Sequence, residues 1–240
     1  MTGHLSALSR SNRVKAIQFA VLALFVASPL RAQIGHEPTS SPYEDLEFRQ
    51  ELTPFGGYAR ARVDPAGVLP QSASIAGLRY ELYLGGPVSL TSEVSAMFSD
   101  RTVIDPTKPA VSRFVGTETA PVYAADLGIA LGLTGRKSWH NLVPQVRAGV
   151  GVLHSDAADD TTGLKFGTPF AITVGAGVKF VTGARLQLRA DVGTRLFKQK
   201  YPDAYYRPAS DNTAVLTDAK RSYWTNHGLL TVGVSYLFDR

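Results

Sequence analysis

Cysteine is absent from the 240 residues. That excludes a disulfide scaffold, a Cys-ligated metal, a thiol nucleophile and a lipid anchor on an N-terminal cysteine. Charge is scarce as well: Asp, Glu, Lys and Arg make up 19% of the chain, against roughly 25% in ordinary soluble domains. An excess of one sign is also missing once position is considered. Of 25 basic residues, Arg10, Arg13, Lys15 and Arg31 lie in the first 33 positions, where there is no acid, leaving 21 bases against 20 acids. A polyanion-binding chain is not indicated, so no nucleic-acid partner is expected. After residue 33 there is also no apolar run near the roughly 18 residues that a membrane-crossing helix needs.

The first 33 residues read as a secretory signal. Arg10, Arg13 and Lys15 form a positive start, Ala16 to Ala27 is apolar apart from Gln18, and a cleavage site falls near Ala32. Its apolar stretch would cover roughly 18 Å as a helix, too short for a hydrocarbon core of about 30 Å. Residues 34–47, with Pro38 and Pro42, read as a flexible periplasmic lead-in, and residues 48–240 as one domain.

What fills that domain is alternation of period two, broken by Gly, Pro, Asp and Asn. Strands are predicted at 50–60, 73–84, 88–99, 122–133, 143–154, 169–181, 185–197 and 225–238. In the sixth, Phe170, Ile172, Val174, Ala176, Val178 and Phe180 share one face, with Thr173, Gly175, Gly177 and Lys179 on the other. In the seventh, Leu186, Leu188, Ala190 and Val192 oppose Gln187, Arg189, Asp191, Gly193 and Arg195. Successive side chains of a strand point to opposite faces, so each strand has one apolar and one polar-or-glycine face.

Two closures fit this pattern. A soluble, lipocalin-like barrel turns the apolar face inward; a membrane barrel turns it toward lipid and fills its lumen with polar groups. The polar face decides. It collects Glu51, Arg79, Glu81, Glu93, Asp126, Arg147, Lys179, Arg189, Asp191 and Arg195, five acids and five bases from seven of the eight strands. A solvent-exposed face needs no such balance, whereas an unpaired ion inside a narrow lumen costs several kcal/mol. The same face gathers Gly57, Gly77, Gly128, Gly132, Gly149, Gly151, Gly175, Gly177, Gly193 and Gly233, which weaken a strand facing water but leave room for long side chains inside a barrel. Gly56 and Gly228 fall on the apolar face.

Aromatics on the apolar face sort to its two ends. Phe98, Tyr123 and Phe170, with Trp224 close by, gather at one, and Tyr80, Phe180, Tyr236 and Phe238 at the other, as girdles at two membrane interfaces do. Connections alternate between short and long, from three residues at Gly85-Gly86-Pro87 to about 27 before Trp224, the pattern of short periplasmic turns and long external loops. The expected fold is an all-β, eight-stranded antiparallel up-and-down transmembrane β-barrel.

In this order, Glu51-Leu52-Thr53-Pro54-Phe55-Gly56-Gly57-Tyr58, Val143-Pro144-Gln145-Val146 running into Gly149-Val150-Gly151, Leu188-Arg189-Ala190-Asp191-Val192 and the closing Leu230-Thr231-Val232-Gly233-Val234-Ser235-Tyr236-Leu237-Phe238 resemble the small outer-membrane β-barrel family typified by outer-membrane protein X and the transmembrane domain of outer-membrane protein A. The resemblance spans about residues 48 to 238. It implies the outer membrane of a diderm bacterium, contact with outer-membrane lipid and lipopolysaccharide, assembly by the barrel-insertion machinery, a monomer, and no single activity. Asp239 and Arg240 follow Phe238, where such chains commonly end on the aromatic.

His154 and Ser155, with Asp156, Asp159 and Asp160 after them, bring hydrolytic residue types to the outer rim, which would suit a lipid-modifying enzyme. Adjacent strand residues point apart, however, so His154 is badly placed to activate Ser155. The same aspartates lack the spacing of a Ca²⁺ loop, and no metal or cofactor is expected. Gly149-x-Gly151 and Gly175-x-Gly177 lack the third glycine and the helix of a dinucleotide site. The last long loop interleaves Lys198, Lys200, Arg207, Lys220 and Arg221 with Tyr201, Tyr205, Tyr206 and Tyr223, suited to lipopolysaccharide phosphates or a partner surface or simply to solvent. The leading expectation is a non-enzymatic outer-membrane barrel serving envelope structure, surface interaction or limited small-solute passage.

Overall fold

A computed structural model describes residues 41–155, 163–182, 185–218 and 220–238. Its strands are β1 (Tyr43–Asp45), β2 (Gln50–Ala61), β3 (Ala73–Gly85), β4 (Val88–Met97), β5 (Asp100–Ile104), β6 (Phe114–Thr119), β7 (Val122–Gly132), β8 (Lys137–Trp139), β9 (Leu142–His154), β10 (Phe170–Val181), β11 (Leu186–Lys200) and β12 (Ser222–Phe238). Among the described residues no helix is long and apolar enough to cross a membrane, which says nothing of strands.

Eight of these strands, β2, β3, β4, β7, β9, β10, β11 and β12, pair antiparallel in sequence order, and β12 returns to β2 to close a barrel. The closure is staggered. Cross-strand partners lead from Tyr236 through Leu52, Tyr80, Ser92, Leu127, Val150, Ile172 and Leu196 to Asn226, ten residues along the strand on which the path began. Such a stagger in an eight-stranded barrel tilts the strands by roughly 40° and leaves an interior only wide enough for side chains.

The alternation resolves as a polar inside and an apolar outside. Leu188, Val192, Leu230 and Val232 are each more than half exposed on the outer wall. Their sequence neighbours Arg189, Asp191 and Thr231 are buried. A lipocalin-like carrier needs the reverse, so the soluble-carrier alternative does not fit this fold.

The strand ends lie close to those expected from the sequence; β11 and β12 run furthest beyond, rising past the barrel rim as a long hairpin. Four shorter strands lie outside the eight expected from the sequence. β5 and β6 form a hairpin inside the long connection between β4 and β7. β1 pairs with β8 in the turn before β9, so the described part of the expected lead-in includes a hydrogen-bonded strand. The signal and cleavage readings, and residues 34–40, lie outside the described residues.

Candidate functional site

Seven strands project the ten predicted charges into the lumen, where they form one continuous set of ion pairs. At the end carrying the short turns, Lys179 donates to Glu51 Oε2 at 2.6 Å and to Glu81 Oε1 at 3.0 Å. Arg189 spans the same two acids and Asp191, reaching Glu81 Oε2 and Asp191 Oδ2 at 2.8 Å each. Asp191 hands the chain to Arg79 at 2.8 Å, and Arg79 to Glu93 at 2.6 Å. Glu93 also accepts from Arg147 at 2.8 Å, and Arg195 links Glu93 to Asp126 at 2.6 Å. β12 supplies no ion, but Ser235 Oγ donates to Glu51 Oε1 at 2.7 Å.

Register explains why the pairing crosses the lumen. Glu51 stands directly opposite Glu81 on the next strand, Lys179 opposite Arg189, and Glu93 opposite Asp126. Like charges so placed destabilise a sheet; the first two pairs neutralise each other across the bore, and Glu93 and Asp126 are met by Arg195 from β11, with Glu93 also paired to Arg79, its register partner on β3. Glycine provides the room. A Cβ at Gly175 would come within 3.1 Å of Arg147 Nε, and one at Gly177 would collide with the Asp191 carboxylate.

Toward the long loops the lumen changes character. Ala59, Ile75, Met97, Val122, Ala124, Leu153, Ala171, Phe197 and Leu229 make an apolar cluster there. Phe197 packs against His227 with ring centroids 5.0 Å apart. Sequence reasoning missed this layer. Its signal is the doubling of apolar residues at the loop-side ends of strands, as in Val152-Leu153, Leu196-Phe197 and Leu229-Leu230, where both faces are apolar.

Above it the long loops fold into a cap with its own small core of Val68, Leu164, Tyr201, Tyr205 and Leu216. Tyr201 Oη donates to Asp64; burial foremost, then the Asp64 charge, holds the Tyr201 hydroxyl far above its usual pKa. Asp211 accepts from the Ala110 backbone at 2.8 Å and from Thr213, and these bonds, that from Ala110 first, lower its pKa to about 2. Tyr201 and Tyr205 are thus buried, not presented to partners. Arg221 stacks over the Tyr206 ring at 4.2 Å and pairs with Asp203 at 3.0 Å.

The other predicted residues fall as follows. Phe98, Tyr123 and Phe170 project outward at the long-loop end, with Trp224 also exposed. Tyr80, Phe180, Tyr236 and Phe238 lie toward the short-turn end, Phe238 within 6.4 Å of both Tyr80 and Tyr236 by ring centroid. His154 is exposed and lies 3.1 Å from Thr168 Oγ1, whereas Ser155 is buried; the structure does not bring them together as a catalytic pair. Asp156, Asp159 and Asp160 lie outside the described residues. Among the described residues no cluster of three metal-ligating side chains occurs. Gly149, Gly151, Gly175 and Gly177 are strand residues.

No protein-family model matches the chain, and no curated protein matches it. Solved structures do. The outer-membrane protein OprG of Pseudomonas aeruginosa superposes with a TM-score of 0.51 at 12% identity, over 82% of this chain and 99% of that one. Neisserial surface protein A gives 0.47 at 13% identity over 79% and 97%, and the N-terminal β-barrel domain of Pseudomonas aeruginosa OprF 0.45 at 13% over 81% and 100%. The chain has the fold of the small eight-stranded outer-membrane β-barrels, on the closed barrel itself and on the likeness to OprG.

Proposed function

We propose that this chain is an integral outer-membrane protein without enzymatic activity, a closed barrel that carries a folded loop cap to the cell surface. The observation behind the proposal is the lumen. Ten buried or nearly buried ions neutralise one another across the bore, and a second, apolar layer lies between them and the cap. In this reading the network is the barrel's polar core, not a conduit. Eight of the ten ions have two or three charged partners, and Arg147 and Asp126 have one each; ions so held are not free to be exchanged by a passing solute, and an apolar layer adds a barrier to ions. Of the roles compatible with the sequence, solute passage is the least suited to such a bore. Envelope structure and surface interaction remain, with the cap as the part that meets partners.

The absence of a pre-aligned nucleophile and base at His154 and Ser155 supports the non-enzymatic reading. Lipid is the solvent for the exposed valines and leucines of the outer wall, between the two aromatic girdles. The test has two arms. The protein should stay with the outer membrane after a carbonate wash, and the purified barrel in planar bilayers should show no channel openings. Release into the wash would refute the membrane assignment; stable, uniform conductance steps would refute the closed lumen.

A further inference from the structure

The chain enters the barrel by a route that crosses its mouth. Just before β2, the Arg49 carbonyl accepts the Tyr83 backbone N–H of β3 at 2.9 Å. Three residues earlier, the Leu46 N–H donates to the Arg136 carbonyl at 2.9 Å, and Arg136 Nη2 donates back to the Leu46 carbonyl at 2.9 Å. Arg136 lies in the turn between β7 and β9, three to four strand spacings from β2 in the ring of eight. Round the rim that is about 14–19 Å at roughly 4.8 Å a spacing. Three residue steps reach at most about 11 Å, so segment and turn can meet only over the mouth at the short-turn end. β1 then pairs with β8, Asp45 opposite Lys137 and Tyr43 opposite Trp139, and the Pro42 carbonyl accepts the His140 N–H at 3.0 Å.

The segment is patterned as a cover. Leu46 and Phe48 are half-buried, whereas Asp45, Glu47 and Arg49 are exposed, the period of two of an extended chain with one dry face and one wet face. The Arg185 guanidinium lies over the Phe48 ring at 5.9 Å and ties the segment to the turn between β10 and β11. Beside the segment is a cleft of about 390 Å³, walled by Leu46 and Phe48 together with Tyr83, Gln187 and Leu237; none of the ten lumen ions lines it. A second observation agrees. Glu51 is only the second residue of β2, and Lys179 stands third from the end of β10. Yet Glu51 is 0% exposed and Lys179 1%. Ions so close to an uncovered barrel end would stand in water.

We propose that residues 42–49 are a strap that shuts the periplasmic mouth of the bore and keeps water and small solutes from Lys179, Glu51 and Glu81. The ionic half of the lumen is then enclosed at both ends, by the strap on one side and the apolar layer on the other. That this mouth faces the periplasm rests on the outer-membrane reading above, and the strap deepens the closed lumen of that reading by naming the stretch of chain that closes it. Two half-buried apolar side chains and a few backbone bonds hold the strap down, so it can open locally while the barrel stays whole.

The experiment has two arms, both on the full chain folded in detergent. In the first, Ser235→Cys places a lone thiol beside Glu51, and its reaction with a small cationic methanethiosulfonate is timed with the strap intact and with Leu46→Ser/Phe48→Ser added. The intact strap should slow the reaction about a hundredfold, the protection expected from docking two apolar side chains. In the second, Asp45→Cys/Lys137→Cys, a directly opposed strand pair, should close a disulfide under mild oxidation and keep the heat-dependent gel mobility of a folded barrel. This arm decides by itself should the serine variant not fold. Equal reaction rates in the two folded proteins, or no cross-link between positions 45 and 137 in a folded barrel, would overturn the strap and leave the barrel reading standing. A wild type without the mobility shift would overturn the barrel reading and the strap together.

Discussion

The two halves of the lumen solve one packing problem with opposite chemistry. Near the short turns the bore is filled by ions, Lys179 and Arg189 against Glu51 and Glu81, each with more than one partner. Near the long loops it is filled by Met97, Leu153, Phe197 and Leu229 with no ion among them. The first half depends on mutual compensation. Removing one member strands its partners in a low-dielectric space, while removing a matched set costs much less. The second half depends on volume, and each deletion there leaves a cavity on its own account. The barrel is therefore expected to respond non-additively to changes in one half and additively in the other.

The largest effect should come from Lys179→Met. It leaves Glu51 and Glu81 face to face with Arg189 alone to serve them, and urea unfolding from lipid vesicles should show a loss of about 3–5 kcal/mol. Adding Glu51→Gln to it, which leaves four acids against four bases and Glu81 paired with Arg189, should recover most of that loss; a double variant no better than the single one would mean the ions contribute independently. Phe197→Ala should cost about 3 kcal/mol by the same measurement, and its effect should add to that of Lys179→Met to within about 0.5 kcal/mol. Strong coupling between them would break the division into two halves. Arg147→Gln should be milder, about 1–2 kcal/mol, because Glu93 keeps Arg79 and Arg195.

The smallest expected effect lies in the cap. Asp211 has its pKa lowered from 3.8 to about 2 by the bonds from Ala110 and Thr213. A depressed carboxylate stabilises the fold above its unfolded pKa and ceases to as pH falls through its folded value. Protease resistance of the loop around Ala110 should thus hold at pH 5, decline below about pH 4 and be lost near pH 2, and Asp211→Asn should abolish that pH dependence. An unchanged acid profile in the variant would assign the transition to another group.

How much of this was legible beforehand follows from what disturbs an alternating pattern. Arg189 and Asp191 between Leu188, Ala190 and Val192 announce two faces at a glance, and the balance of five acids with five bases points to a shared enclosure. Even then, which ion meets which could not be read. Lys179 bonds Glu51 128 positions away, and that contact depends on the stagger of the closed barrel. Phe197 and Leu229 carry no such mark, since each sits beside another apolar residue facing lipid. The cap was least legible: Tyr201 and Tyr205, which as a pattern suit a partner surface, are drawn inward by contacts with Val68, Leu164 and Leu216 from separate loops.

Because the chain has no cysteine, single cysteines can be placed at will, and the central claim concerns which way two neighbouring side chains look. Spin labels at Val192→Cys and at Thr231→Cys, read in lipid vesicles for collision with dissolved oxygen and with a water-soluble nickel complex, test it most directly. The label at residue 192 should meet oxygen freely and nickel hardly at all, as in a hydrocarbon phase, and the label at residue 231 should be immobile and shielded from both. Free collision of the residue 231 label with oxygen, together with an immobile label at residue 192, would turn the barrel inside out and contradict the account.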